Sequence, residues 1–315
     1  MLYDALVVVS FGGPEKTQDV IPFLENVLRG RNVPRERMLE VAEHYYHFGG
    51  VSPINEQNRE LVAALRRELD LPVYWGNRNW HPMLADTLRQ MQRDGVRRAL
   101  AFVTSAFGSY SGCRQYREDI ARAVAEIGEP ALAVDKLRNF SNHPLFIATM
   151  AERTANAFEQ IPADRLDAAA LVFTAHSVPV AMAAASPYEC QLHEAASLVA
   201  ARVGRPEWTL VYQSRSGPPS QPWLAPDIGD WLSENRPRDV VVVPLGFISD
   251  HMEVLYDLDT NAAALCDELG VNMVRAGTAG THPKFIAMIA ELVREAPLGA
   301  APHVCAPDCC ALPRG

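Results

Sequence analysis

The stretch "VVVPLGFISDHMEVLYDLD", residues 241–259, starts as a buried strand and ends as the first turns of a helix. Its opening valines are β-branched and uninterrupted by charge, which suits a strand covered on both faces. Leu255, Leu258, Ala262, Leu265 and Leu269 then recur at helical spacing, and Gly270 supplies a stop, so the run predicts a strand, a loop and an amphipathic helix. At the handover stand Ser249, Asp250, His251, Glu253, Asp257 and Asp259. In open α/β sheets the carboxyl end of a strand is where ligands bind. Glu253, Asp257 and Asn261 lie at successive i+4 steps and are predicted to form one polar file along the helix. An imidazole among carboxylates is a ligand set for a borderline divalent metal.

The same alternation of apolar run and amphipathic helix recurs along the chain, at "DALVVVSF", "LPVYWG", "RALAFVTSAF", "AALVFTAHS" and "WTLVYQS". It predicts parallel sheets with helices on both faces. The two halves rhyme weakly: "VVVSFGGP" and "AFVTSAFGSYSG" close strands in the first half as "LVFTAHSVP" and "VVPLGFISDH" do in the second. The expected architecture is α/β, with two doubly wound, Rossmann-like parallel-sheet domains facing a cleft. Residues 1–140 and 141–296 form the domains, and 297–315 is a Pro/Ala-rich, cysteine-containing tail.

Composition narrows the function classes. The 315 residues carry a formal net charge of −9, and basic residues are scattered apart from "RGR" at 29–31, so no nucleic-acid partner is expected. The N-terminus lacks a basic flank, and its apolar run is too short to cross a bilayer, so neither a signal peptide nor a membrane span is expected. Six cysteines in this length fit a reducing compartment, and the predicted location is the cytoplasm. There is no G-x-G-x-x-G, no G-x-x-x-x-G-K-[ST] and no G-x-S-x-G, which argues against dinucleotides, nucleoside triphosphates and α/β-hydrolase chemistry.

Three strand ends remain as candidate sites: "FTAHSVP" with His176, "SDHMEVLYDLD", and the Gly-Gly turn of "SFGGPE". The blocks "SFGGPE", "GGVSPI", "FTAHSVP", "VYQSRSGPP", "QPWLAPDI" and "GFISDHMEVLYDLD" resemble, in this order from residue 10 to residue 261, the successive signatures of the ferrochelatase family. The opening block and "SGCRQYRE" are most similar to its actinobacterial branch. The resemblance implies insertion of Fe²⁺ into coproporphyrin III to give coprohaem in haem biosynthesis. The alternatives are protoporphyrin IX as substrate, a cobalt or nickel chelatase for another tetrapyrrole, and a haem carrier of the same fold.

Such a reaction removes two pyrrole protons and strips water from a cation, and needs no organic cofactor. By the resemblance His176 is the proton acceptor and a metal ligand, Glu253 its partner, and Asp257 a station on a metal or proton path. A neutral imidazole suits proton removal because its pKa lies near working pH. Phe11, Arg29, Arg31, Tyr45, Ser52 and Tyr116 match the family's porphyrin-binding positions, where guanidinium and hydroxyl groups donate to propionates. Phe11 stands where some relatives carry an iron-ligating tyrosine, and it has no donor atom. The resemblance also implies a π-type widening of the helix after Glu253. In the tail, Cys305, Cys309 and Cys310 form C-x-x-x-C-C, and soft thiolates select zinc or an iron–sulfur cluster. Some family members hold a [2Fe–2S] cluster on one internal and three C-terminal cysteines, which implies Cys113 as the fourth ligand. The rival is zinc on His303, Cys305, Cys309 and Cys310.

Overall fold

The structure of the protein, a computed structural model, describes residues 2–30, 33–217, 220–296 and 308–312. Its contacts divide into two compact units. Of the described residues, 2–104, Gln115–Arg138 and 289–296 belong to the first unit, and Ser105–Arg114, Asn139–Met288 and 308–312 to the second. A single cut near residue 140 would have put 105–114 in the first unit and 289–296 in the second.

Each unit is built on four parallel strands. In the first, β1 (Ala5–Ser10), β2 (Val73–Asn77), β3 (Arg98–Val103) and β4 (Ala133–Lys136) lie in the order β2-β1-β3-β4. The second repeats this order with β5 (Ala170–His176), β6 (Thr209–Gln213), β7 (Asp239–Val243) and β8 (Asn272–Arg275), as β6-β5-β7-β8. The weak rhyme in the sequence is therefore a repeat of topology. β1 and β7 are buried at every residue, which is what unbroken runs such as "DVVVV" demand of a sheet covered on both faces. In the second sheet the chain runs from β5 to β6 on one side, then crosses to β7 on the other. The carboxyl ends of β5 and β7 thus flank a topological switch point, the place where such sheets bind ligands.

The helix after β7 is not uniform. Met252–Leu255 is α-helical, Asp257–Ala262 is a π-turn, and Ala263–Leu269 is α-helical again, ending on Gly270 in the left-handed region. The widening shows in the bond from the amide of Asn261 to the carbonyl of Tyr256, at 2.9 Å. It also changes which residues face the core. Val254, Leu258, Ala262 and Cys266 pack against Val172, Val211, Val240 and Val242, whereas Leu255, read from the sequence as a core position, is only half-buried. The reason is geometric. A four-residue step overshoots one turn of an α-helix, with its 3.6 residues per turn, and falls short of one in the wider π-turn, so the two drifts offset each other and i+4 positions stay in line.

Candidate active site

His176 closes β5, and its position is held from several sides. The Ser177 amide donates to the Gln213 carbonyl at 2.7 Å, and the Ser177 hydroxyl to the Leu224 carbonyl at 2.9 Å. The Leu224 amide donates to the Val178 carbonyl and the Val180 amide to the Pro222 carbonyl, both at 3.0 Å. Buried Tyr188 donates its hydroxyl to the His176 carbonyl at 2.9 Å. Gly246, just past β7, is required by the close approach of two strand ends: a Cβ there would lie 2.7 Å from Cα and Cβ of Ala175. The absence of a side chain lets the loop carrying Asp250 to Glu253 pass beside the residue preceding His176.

His176 Nε2 then lies 3.2 Å from Glu253 Oε1. His251 caps the helix that bears Glu253, its Nδ1 accepting from the Glu253 amide at 3.2 Å. That bond puts any proton of a neutral His251 on Nε2. Burial, aided by the charge of His176, lowers the pKa of His251. Burial would also drive the proton off His176, but the charge and hydrogen bond of Glu253 outweigh it and raise His176 to about 9. Burial likewise favours protonated Glu253, and again the ion pair wins, holding Glu253 at about 2. Through the neutral range the pair is therefore imidazolium and carboxylate. The neutral imidazole expected from the sequence is not the resting form.

The four carboxylates of the opening stretch separate into two pairs with different fates. Arg275, the last residue of β8, reaches Asp250 Oδ1 at 3.2 Å and Asp259 Oδ2 at 2.8 Å, so these two share one guanidinium. Glu253 and Asp257 remain on the site side. Burial raises Asp257 to about 6, against the hydrogen bond from Ser214 and with the help of the charge on Glu253. Asn261, the third member of the predicted file, is exposed.

A family model described as ferrochelatase matches residues 3–297. The chain belongs to the ferrochelatase family. Among its relatives are a ferrochelatase from Rhodopirellula baltica, 57% identical over 98% of this chain and 93% of that one, and a coproporphyrin III ferrochelatase from Nocardia farcinica, 54% identical over 99% and 97%. A coproporphyrin III ferrochelatase from Mycolicibacterium smegmatis is 51% identical over 94% of this chain and 90% of its own. The fold is also that of SirB from Bacillus subtilis, solved with Fe³⁺, at a TM-score of 0.62 and 11% identity, covering 94% of this chain and 97% of that one.

The candidate porphyrin-binding residues of this ferrochelatase-family chain fall in the first unit. Phe11 follows β1 and meets Phe23 edge-on at 6.2 Å between ring centroids, and Tyr45 meets the same ring at 5.6 Å. Ser52 is buried. Its amide donates to the Pro14 carbonyl at 2.8 Å, and its Oγ lies 3.0 Å from where a Cβ on Gly13 would stand, so only glycine leaves it room. Arg29 is exposed at the end of helix Val20–Leu28, bonded to Asn26. Arg31 lies outside the described residues. Tyr116 sits in the core of the first sheet, and burial raises its pKa against hydrogen bonds with Arg78 and Thr104. The sequence reading missed Arg78, whose guanidinium lies 4.4 Å from the Tyr116 ring centroid and 5.7 Å from that of Phe11. Its ion pair with Asp119 leaves the two side chains 6% and 8% exposed. No motif marked Arg78, because its role depends on residues about 40 and 70 positions away meeting at one strand end.

Of the cysteines, Cys113 is buried in a π-turn over Tyr110–Arg114, and the neighbouring Arg114 donates to the Cys309 carbonyl at 3.4 Å. Cys309 and Cys310 have their sulfurs 3.7 Å apart. Cys305 and His303 lie outside the described residues. Among the described residues no group of three or more His, Cys, Asp or Glu is placed to hold a metal ion, and no helix is long and apolar enough to cross a membrane.

Proposed function

We propose that the protein inserts Fe²⁺ into coproporphyrin III, releasing two protons and forming coprohaem in the cytoplasm. The observation that carries this is the His176–Glu253 pair at the β5/β7 switch point of a ferrochelatase-family chain. Glu253 is the oxygen ligand of the metal, and His176 the nitrogen ligand and proton acceptor. The resting ion pair gives the order of events. When a dication takes the charge of Glu253, the interaction that keeps His176 protonated is lost while burial remains, so His176 releases its proton and can accept one from a pyrrole. Asp257, poised near neutrality, passes protons onward or receives the hydrated metal before Glu253 does. In the first unit Phe11 contacts the macrocycle, and Arg29, Arg31, Tyr45, Ser52 and Tyr116 meet its carboxylates.

The test is anaerobic Fe²⁺ insertion by the purified protein, followed by absorbance with coproporphyrin III and protoporphyrin IX in parallel. Coproporphyrin III, with four propionates to two, is expected to turn over faster. Faster use of protoporphyrin IX would move the substrate assignment, and binding without turnover would make the protein a carrier.

We further infer that Cys113, Cys305, Cys309 and Cys310 hold a [2Fe–2S] cluster. The residues fit in two respects: Arg114 ties the tail to the turn bearing Cys113, and Cys309 and Cys310 present adjacent sulfurs. Four thiolates are the ligands such a cluster takes, and where bound it would anchor the tail. Protein purified anaerobically is expected to be brown. Cys113→Ser should remove the colour, whereas Cys190→Ser and Cys266→Ser should leave it. Colourless protein with stoichiometric zinc would favour His303 with the three tail cysteines instead.

A further inference from the structure

We propose that Gln213 and Ser214, at the carboxyl end of β6, are positioning residues that hold the Glu253–Asp257 segment against the His176 turn. This rests on the metal-insertion reading of that site. Gln213 is the β6 residue in register with His176, and its backbone carbonyl accepts the Ser177 amide. Its side chain reaches the other way and donates Nε2 to the backbone carbonyl of Glu253. A carbonyl only accepts, so the orientation of this amide is determined by its partner. One residue thus ties the turn after the base to the turn bearing the carboxylate. The remaining oxygen, Gln213 Oε1, is buried with no hydrogen-bond donor.

Ser214 is the next residue, and its backbone lies in the left-handed region with φ of 61°. Only two other non-glycine residues among those described share that sign, Arg236 and Cys310. Glycine would adopt the conformation with less strain, but glycine has no hydroxyl, and the Ser214 hydroxyl donates to Asp257 Oδ2. A buried acceptor without a donor and a left-handed serine are each unfavourable for stability alone. Here they stand at successive positions, and both side chains grip the segment that leads into the π-turn. Strain that persists beside an active site is a sign of function. The arrangement fixes the distance between His176 and Glu253 from the β6 side, independently of the cap that His251 provides.

The experiment compares Ser214→Gly, Ser214→Asn and Gln213→Met with wild type in thermal melting, iron-insertion kinetics and amide hydrogen exchange. Ser214→Gly should raise the melting temperature by roughly 1–3 °C. It should also lower kcat about tenfold at unchanged KM for the porphyrin. Ser214→Asn tolerates the backbone and keeps a side-chain donor, so it should recover most of the lost turnover. Gln213→Met should lower kcat to a similar degree without loss of melting temperature. Both Ser214→Gly and Gln213→Met should speed amide exchange over residues 253–262. A Ser214→Gly variant that is less stable than wild type, or as active, overturns the inference, as does unchanged exchange over 253–262 in both variants. Wild-type protein that inserts no Fe²⁺ would remove the chelatase reading instead, leaving the exchange data to decide the positioning claim.

Discussion

His176→Ala is expected to lower iron-insertion turnover about 10³-fold while porphyrin binding, followed by fluorescence, is retained. The imidazole carries two proposed roles. In the proposed mechanism it ligates the metal, and it takes the pyrrole protons, a contribution of roughly 10² to 10⁴ for a positioned general base. His251 cannot stand in, because its Nδ1 is committed to the Glu253 amide and burial lowers its pKa. The backbone at His176 is held by Tyr188, Ser177 and the 222–224 segment, so the alanine variant should keep its fold. Retention of more than about a tenth of wild-type turnover would exclude His176 as the base.

The second large effect is expected from Glu253→Gln, which keeps the shape and removes the charge. His176 should then titrate well below about 9, since the charge and hydrogen bond of Glu253 are gone while burial still opposes the imidazolium, leaving only the Ser177 carbonyl and Asp257 to favour it. An NMR titration of the imidazole reads this directly, and an unchanged midpoint would refute the ion pair. Turnover should fall by roughly 10² or more, because the cation would lose the oxygen ligand proposed for it. Stability follows the same pair. His176 has its folded-state pKa raised, so its contribution is fully present below about pH 6.5 and is lost as pH rises through about 9. Glu253 has its pKa depressed from 4.5 to about 2, so its contribution is present above pH 4.5 and is lost as pH falls through about 2. The pair stabilises most between about pH 4.5 and 6.5, and the melting temperatures of wild type and Glu253→Gln should converge above pH 9.

Both variants test residues that the sequence marked, and the reason they were legible is local. A strand of β-branched residues, a stop and a turn leave their signature within about ten positions, so six of the eight described strands and the residues closing β5 and opening the helix after β7 could be read in one dimension, whereas the short edge strands β4 and β8, with no fully buried residue, could not. The family blocks pointed to His176 and Glu253 by the same contiguity. What the tertiary structure decided is which of the other polar groups these two would meet. The i+4 spacing set Glu253 and Asp257 apart from Asp250 and Asp259, but that Arg275 arrives from β8 to pair with the latter two could not be read from it. Gln213 and Ser214 were visible only as part of "VYQSRSGPP". Their meaning depends on the register of β6 against β5 and on one left-handed backbone angle. Likewise the charge state of His176 is a contest between burial and a carboxylate more than 70 positions away, and it was decided when parallel strands, joined through long crossovers, brought their carboxyl ends to one edge.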